Sequence, residues 1–262
     1  VLMYCLGLSI QVATVVILLY TKYPVLTGRY NFSTALELAA ALTSICASLA
    51  LTKKNSPNAV KIVWSYTTLL LLMFMLINTE KLKLIALYYE LFMLLSAYVL
   101  YISATSEKSN KVTKDFLIWT QFGSFCFLLG FLGLIFDTGI ETRIQITNTN
   151  PEKTAKYVWL VLVGLLIKIP VIPFHYWITK VHVEASTSFS IFLSGFLVKT
   201  ASAVLYAITP LMTTYQQTTV TWLLVVSIIT STFMLFAEAD FKRFVAIGTI
   251  QEMGLTTLLL VL

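Results

Sequence analysis

Apolar runs, each about as long as a membrane-crossing helix, follow one another along almost the whole chain. A hydrocarbon core of about 30 Å needs about 20 apolar residues in a helix. Residues 1–20, 34–52, 59–78, 82–104, 113–136, 155–178, 187–208, 219–237 and 241–262 reach that length. In lipid every backbone polar group must be satisfied internally, which leaves helices for runs of this kind. We therefore expect an all-α, polytopic bundle of about nine transmembrane helices. Only 11% of the 262 residues are charged, against about 25% in soluble domains, so a soluble exterior cannot be built. Residues 1–20 have neither a basic start nor a small-residue cleavage site, so they read as a span and not as a signal peptide.

The net charge of +6 does not point to nucleic acid, because the lysines fall mainly between the apolar runs. Alternate loops lie on alternate sides of a membrane. One side collects Lys53, Lys54, Lys61, Lys108, Lys111, Lys114, Lys180, Lys242 and Arg243, and the other short loops hold Lys22, Arg29, Lys81 and Lys83. The richer side is expected to be the inside. Cys5, Cys46 and Cys126 lie within apolar runs without metal-ligand spacing, and read as buried thiols.

Four ionisable residues interrupt four runs near their middles: Glu90, Lys168, Lys199 and Glu252. A charge at the bilayer centre costs at least about 2.5–3.5 kcal/mol, so these side chains should face one another or an internal wet path. Any one of them alone would fit a structural ion pair. A set at one depth fits proton or ion conduction better. Burial disfavours a charged lysine and a nearby carboxylate restores it. A Glu90 that approaches and leaves Lys168 would therefore load and unload a proton. Glu252 is alone in its run, and a boundary shift of a few residues would move it toward an interface.

Pro170 and Pro173 follow Lys168 directly. Each removes a backbone N–H and clashes with the carbonyl four residues earlier, so the helix should break between about 168 and 175. Broken membrane helices are tolerated where they line a cavity or are buried in protein. A break would give Lys168 a polar seat, although a simple kink that shapes the helix fits the same residues. His175 is a candidate proton relay, whereas His182 reads as interfacial and Tyr88, Tyr89 and Trp177 as packing residues. No phosphate loop, haem or iron–sulfur pattern, or nucleophile constellation is present, so no cofactor or metal is expected on this chain.

The stretch KIPVIPFHYWITKVHVEASTSFSIFLSGFLVKTASAVLY, residues 168–206, resembles the central signature of the antiporter-like subunits of respiratory complex I, which the Mrp-type sodium/proton antiporters share. Lys168, Pro170, His175, Trp177 and Lys199 match it. YYELFML around Glu90 resembles the fifth-helix glutamate of the family, and residues 239–254 resemble its tenth-helix signature. KVHVEAS is most similar to the branch of subunit 4 of NADH:ubiquinone oxidoreductase; the subunit 2 version lacks that run. The resemblance covers roughly 80–262, with 80–208 as the core of a first repeat and 219–262 as the start of a second. Residues 1–79 match only as hydrophobic helices.

The resemblance implies that Glu90 and Lys168 are the charge pair of a proton channel and Lys199 a relay, with quinone reduced elsewhere and no NADH, flavin or iron–sulfur cluster bound here. It implies a lipid bilayer and other membrane-arm subunits as partners, in a mitochondrial inner membrane or, alternatively, a bacterial plasma membrane. The family has Ser-His-Met-Gly where this chain has Gln251-Glu252-Met253-Gly254, so Glu252 either stands in for that histidine or does nothing. Family members are longer, which implies a split or truncated subunit and a separate chain supplying further C-terminal helices. A free-standing sodium/proton antiporter, a fragment of subunit 2 and a non-pumping structural half-subunit stay open as alternatives.

Overall fold

The computed structural model describes residues 2–26, 32–51, 58–104, 107–146 and 149–262, without the side chains of 20–26 and 107–109. The chain runs as α1 (Leu2–Leu26), α2 (Phe32–Ala50), α3 (Ala59–Asn78), α4 (Leu82–Ser103), α5 (Glu107–Thr138), the single turn α6 (Arg143–Ile146), α7 (Pro151–Lys168), α8 (Tyr176–Glu184), α9 (Thr187–Phe192), α10 (Lys199–Ile208), α11 (Thr214–Ala237) and α12 (Phe241–Val261). Among the described residues there is no strand, only one isolated bridge between Lys81 and Thr142.

Eight helical stretches of the described residues are long and apolar enough to cross a membrane. The ninth expected run, 155–178, is not one helix. It is divided between α7 and α8, with a non-helical segment from Ile169 to His175. The run at 187–208 is also not uniform: a π-helical segment, Leu193–Leu197, separates α9 from α10. Arg29, Lys53 and Lys54 lie outside the described residues, as do the side chains of Lys22 and Lys108.

Local signals set the helix starts. Asn150 caps α7 by accepting from Glu152 N at 3.0 Å, with Pro151 in the first turn, where a missing N–H costs nothing. Thr213 and Gln216 form a reciprocal capping box on α11. Asp240 caps α12 by accepting from Lys242 N at 2.8 Å. The connections α3–α4 and α5–α6 are tied by Leu82 N to Glu141 O at 2.9 Å and Arg143 N to Glu80 O at 3.0 Å.

The core is built on the broken helices. Phe189, Phe192, Phe196, Leu197 and Val198 are fully buried, and Phe192 stacks on Tyr66 of α3 at 4.8 Å. Tyr66 Oη and Ser188 Oγ lie 3.0 Å apart, and Ser188 donates to Ala47 O at 2.7 Å, which joins α3, α9 and α2. Small residues bring α5 and α7 together. A Cβ on Gly164 would stand 2.5 Å from Gly123 O and 2.7 Å from Phe127 N, so only glycine permits this approach.

The cysteines correct the expectation of buried thiols. Cys5 and Cys46 are exposed and Cys126 is half-buried; none is in a disulfide. An apolar run in a membrane has two apolar environments to choose from, lipid and protein, so hydrophobicity does not send a thiol inward.

Candidate functional site

The helix break and Lys168 occupy one place in the structure. Lys168 is the last residue of α7, where the helix dipole favours a positive charge. Pro170 has no N–H for the Leu166 carbonyl, and Val171 N takes that carbonyl instead at 3.3 Å. Val171 N is the group that would have served Ile167 O in a regular helix. The buried Trp177 Nε1 reaches back across the break to supply that bond at 2.9 Å. Ile172 N donates to Ser227 Oγ of α11 at 3.1 Å. The break is thus a fixed structure with its freed backbone groups largely re-satisfied, not a loose hinge.

Lys168 is 3% exposed and its Nζ makes no hydrogen bond to a described residue. It stands 3.7 Å from the ring centroid of Tyr89 and 5.5 Å from that of Phe92, both on α4. Glu90 is near enough to act on Lys168 through its charge, but the two do not meet in a direct ion pair. The half-buried Glu90 carboxylate is held by Ser124 Oγ of α5, at 2.7 Å to Oε1 and 2.8 Å to Oε2. The expected pair is present as neighbours whose charged ends are engaged elsewhere.

Lys199 opens α10 directly after the π-helical segment. Its Nζ donates to Ser194 O at 3.1 Å, a carbonyl of that segment. It also forms an ion pair with Glu252 Oε1 of α12 at 3.0 Å. The Lys199 side chain is 19% exposed and that of Glu252 is 53% exposed, so these two mid-depth charges face each other with the carboxylate at the outer side of the described helices. Helix α10 packs against both α7 and α12. The order Lys168, Lys199, Glu252 thus follows adjacent helices.

His175 precedes the first turn of α8 and lines a cavity of about 560 Å³ at the end of the bundle where α5 starts, α8 ends and α11 gives way to α12. Charged side chains of both signs share its wall: Lys111, Asp115, Lys180, Glu184, Glu238 and Arg243. Lys180 pairs with Asp115 at 3.1 Å. The His175 Nδ1 is buried and makes no hydrogen bond to a described residue. His182 lies in the last turn of α8 at this end of the bundle and is 1% exposed; beside it Lys242 Nζ donates to Val183 O at 2.8 Å and Ala185 O at 3.1 Å.

Sequence reasoning missed Tyr89, Ser124, Ser194 and Glu37. Tyr89 read as packing, and a serine or a main-chain carbonyl inside an apolar helix carries no pattern. Glu37 had a signal: it is a carboxylate five residues into α2. It is fully buried and accepts from Asn78 Nδ2 at 2.8 Å, near the end of the bundle opposite the His175 cavity. No group of three or more His, Cys, Asp or Glu residues suited to a metal ion occurs among the described residues.

The sequence and the fold of the chain have counterparts among known proteins. Residues 79–262 match the family described as NADH:quinone oxidoreductase/Mrp antiporter, transmembrane region. The chain belongs to this family. NADH-ubiquinone oxidoreductase chain 4 of Paramecium tetraurelia is 41% identical over 172 residues, which are 64% of this chain and 36% of that protein. NADH-quinone oxidoreductase subunit M of Rickettsia bellii is 33% identical over 151 residues, 55% of this chain and 31% of that one. The matches thus span about a third of the length of these relatives. The same fold recurs in a chain of respiratory complex I from Thermus thermophilus, with a TM-score of 0.81 and 19% identity over 98% of this chain and 58% of that one. It recurs also in a chain of an archaeal membrane-bound sulfane sulfur reductase, with a TM-score of 0.85 and 17% identity over 98% of this chain and 59% of that one.

Proposed function

We propose that this chain acts as a proton-translocating membrane-arm subunit of an NADH:ubiquinone oxidoreductase, of the subunit 4 branch. The observation that carries the reading is Lys168: a buried lysine at a fixed helix break, with no hydrogen-bond partner among the described residues and a carboxylate nearby. Such a group is costly as scaffolding and useful as a carrier. In this reading residues 80–208 are the core of the first repeat, and 219–262 begin the second. Protons enter through the His175 cavity, reach Lys168 and pass toward Lys199 and Glu252. His175 and Glu252 are relays; Glu90 sets how tightly Lys168 holds its proton. Quinone reduction elsewhere in the complex supplies the energy, and no redox cofactor is held here. The partners are the other membrane-arm subunits and the bilayer, with further helices of the second repeat beside α12. A mitochondrial inner membrane is the setting that the ciliate relative supports.

The test is Lys168→Ala beside Lys168→Arg, assayed as quinone-coupled proton pumping by the assembled complex in sealed vesicles, with assembly checked separately. Alanine removes the carrier and pumping falls strongly. Arginine keeps the charge but stays protonated, so it supports assembly without restoring pumping. Full pumping with arginine would leave Lys168 a structural charge.

A further inference from the structure

A carrier lysine and its carboxylate face a physical problem. In a low-dielectric interior the two attract strongly, and a pair that collapses permanently holds its proton and carries nothing. Something must make the separated arrangement accessible. The structure shows what occupies each partner when the two are apart. The Lys168 ammonium stands over the face of Tyr89 at 3.7 Å, with Phe92 at 5.5 Å beyond it. Both oxygens of the Glu90 carboxylate are engaged by one hydroxyl, Ser124 Oγ, at 2.7 and 2.8 Å. Tyr89 and Glu90 are consecutive on α4, so their side chains leave the helix in different directions, and one helix presents the seat and the carboxylate separately. Tyr89 is itself fixed: it is buried to 1% and packs on Phe127 of α5 at 4.4 Å between centroids. Ser124 adjoins Gly123, one of the glycines at which α5 and α7 approach closely.

Resting on the pumping role argued above, we propose that Tyr89 and Ser124 are positioning residues that hold the Lys168 ammonium and the Glu90 carboxylate apart, which makes the open arrangement of the pair a defined state. An ammonium over a desolvated aromatic face is attracted by the ring quadrupole. The contact offsets part of the cost of burying that charge without an oxygen partner and leaves the ammonium free to pass its proton onward. The serine hydroxyl gives the carboxylate a hydrogen bond that competes with the lysine. Neither residue accepts the transported proton. Each acts by setting how often the pair opens.

Paired substitutions separate this role from packing. Tyr89→Phe keeps the ring face, whereas Tyr89→Met fills similar space with a flexible apolar chain. Ser124→Thr keeps the hydroxyl, whereas Ser124→Val has the shape of threonine without it. Each variant is placed in the assembled complex, and coupled pumping is measured in sealed vesicles beside Lys168→Ala. The expected result is that Tyr89→Phe and Ser124→Thr pump within about twofold of the parent, while Tyr89→Met loses about tenfold, the scale a desolvated cation–π contact supports. Ser124→Val also loses pumping, with assembly intact. If Met serves as well as Phe and Val as well as Thr while Lys168→Ala abolishes pumping, the positioning role is overturned and the carrier role stands. Equal losses within each pair would also overturn it, because packing would then be the cause. Full pumping by Lys168→Ala would overturn both.

Discussion

The charged residues of this protein divide by what their ends touch. Lys168 ends on aromatic faces, Glu90 on a serine, and Lys199 on a carbonyl and a carboxylate. Only the last is a direct ion pair, and its acidic partner is the more exposed side chain. Lys199 supplies the counterion that this half-exposed carboxylate meets within the bundle. Glu252→Gln keeps the shape and removes the charge. Lys199 then retains Ser194 O but loses its counterion. On the proposed route Glu252 lies after Lys168, so the expected outcome is a severalfold fall in coupled pumping, smaller than for Lys168→Ala. Unchanged pumping would show that Glu252 only neutralises Lys199. The positions of Lys168, Lys199 and Glu90 were legible in the sequence because a charge inside an apolar run is conspicuous. Their partners were not, because serine, tyrosine and backbone carbonyls are ordinary in membrane helices and acquire a role only through tertiary placement.

At the level of elements, the break after Lys168 could be read from Pro170 and Pro173, since proline acts on the backbone whatever the tertiary context. The π-helical segment before Lys199 could not: Leu193–Leu197 contains no proline, and its extra residue per turn is a response to packing. There, a Cβ on Gly195 would come within 2.4 Å of Thr43 Cγ2 of α2. The α5–α7 contact was equally hidden, though it places the whole site. Gly164 is one turn before Lys168, and Gly123 adjoins the serine that holds Glu90. Gly164→Ala tests this. In an exposed helix alanine would gain about 1 kcal/mol over glycine. Here the new methyl meets backbone atoms at 2.5 and 2.7 Å, which must move. Overpacking costs about 1–3 kcal/mol, so the substitution should be net destabilising, and it should impair pumping with every charged residue intact. A higher thermal stability of the purified complex would show that α5 and α7 do not meet as described.

Over the whole molecule, charge is distributed unequally between the two ends of the bundle. At the end where α4 starts and α5 finishes, two of the basic groups are paired, Lys83 with Glu141 at 3.2 Å and Lys156 with Asp137 at 3.4 Å, as Lys180 is with Asp115 at the other. At the opposite end lie Lys61, Lys111, Lys114, Lys180, Lys242 and Arg243, of which Lys111, Lys180 and Arg243 line the His175 cavity. Membrane insertion counts lysine and arginine near the ends of spans and gives little weight to acidic residues, so the second end should face the inside of the membrane in which the protein is made. For a mitochondrial subunit that is the matrix. On the proposed route, this orientation makes the His175 cavity an entrance from the matrix and leaves Lys199 and Glu252 further along the path. Single cysteines at position 111 and at position 83, in a background with Cys5, Cys46 and Cys126 replaced, report it directly. A membrane-impermeant maleimide should label Lys111→Cys only from the matrix side and Lys83→Cys only from the opposite side. The reverse pattern would turn the His175 cavity into an exit, and the sequence His175, Lys168, Lys199 would then have to be read backwards.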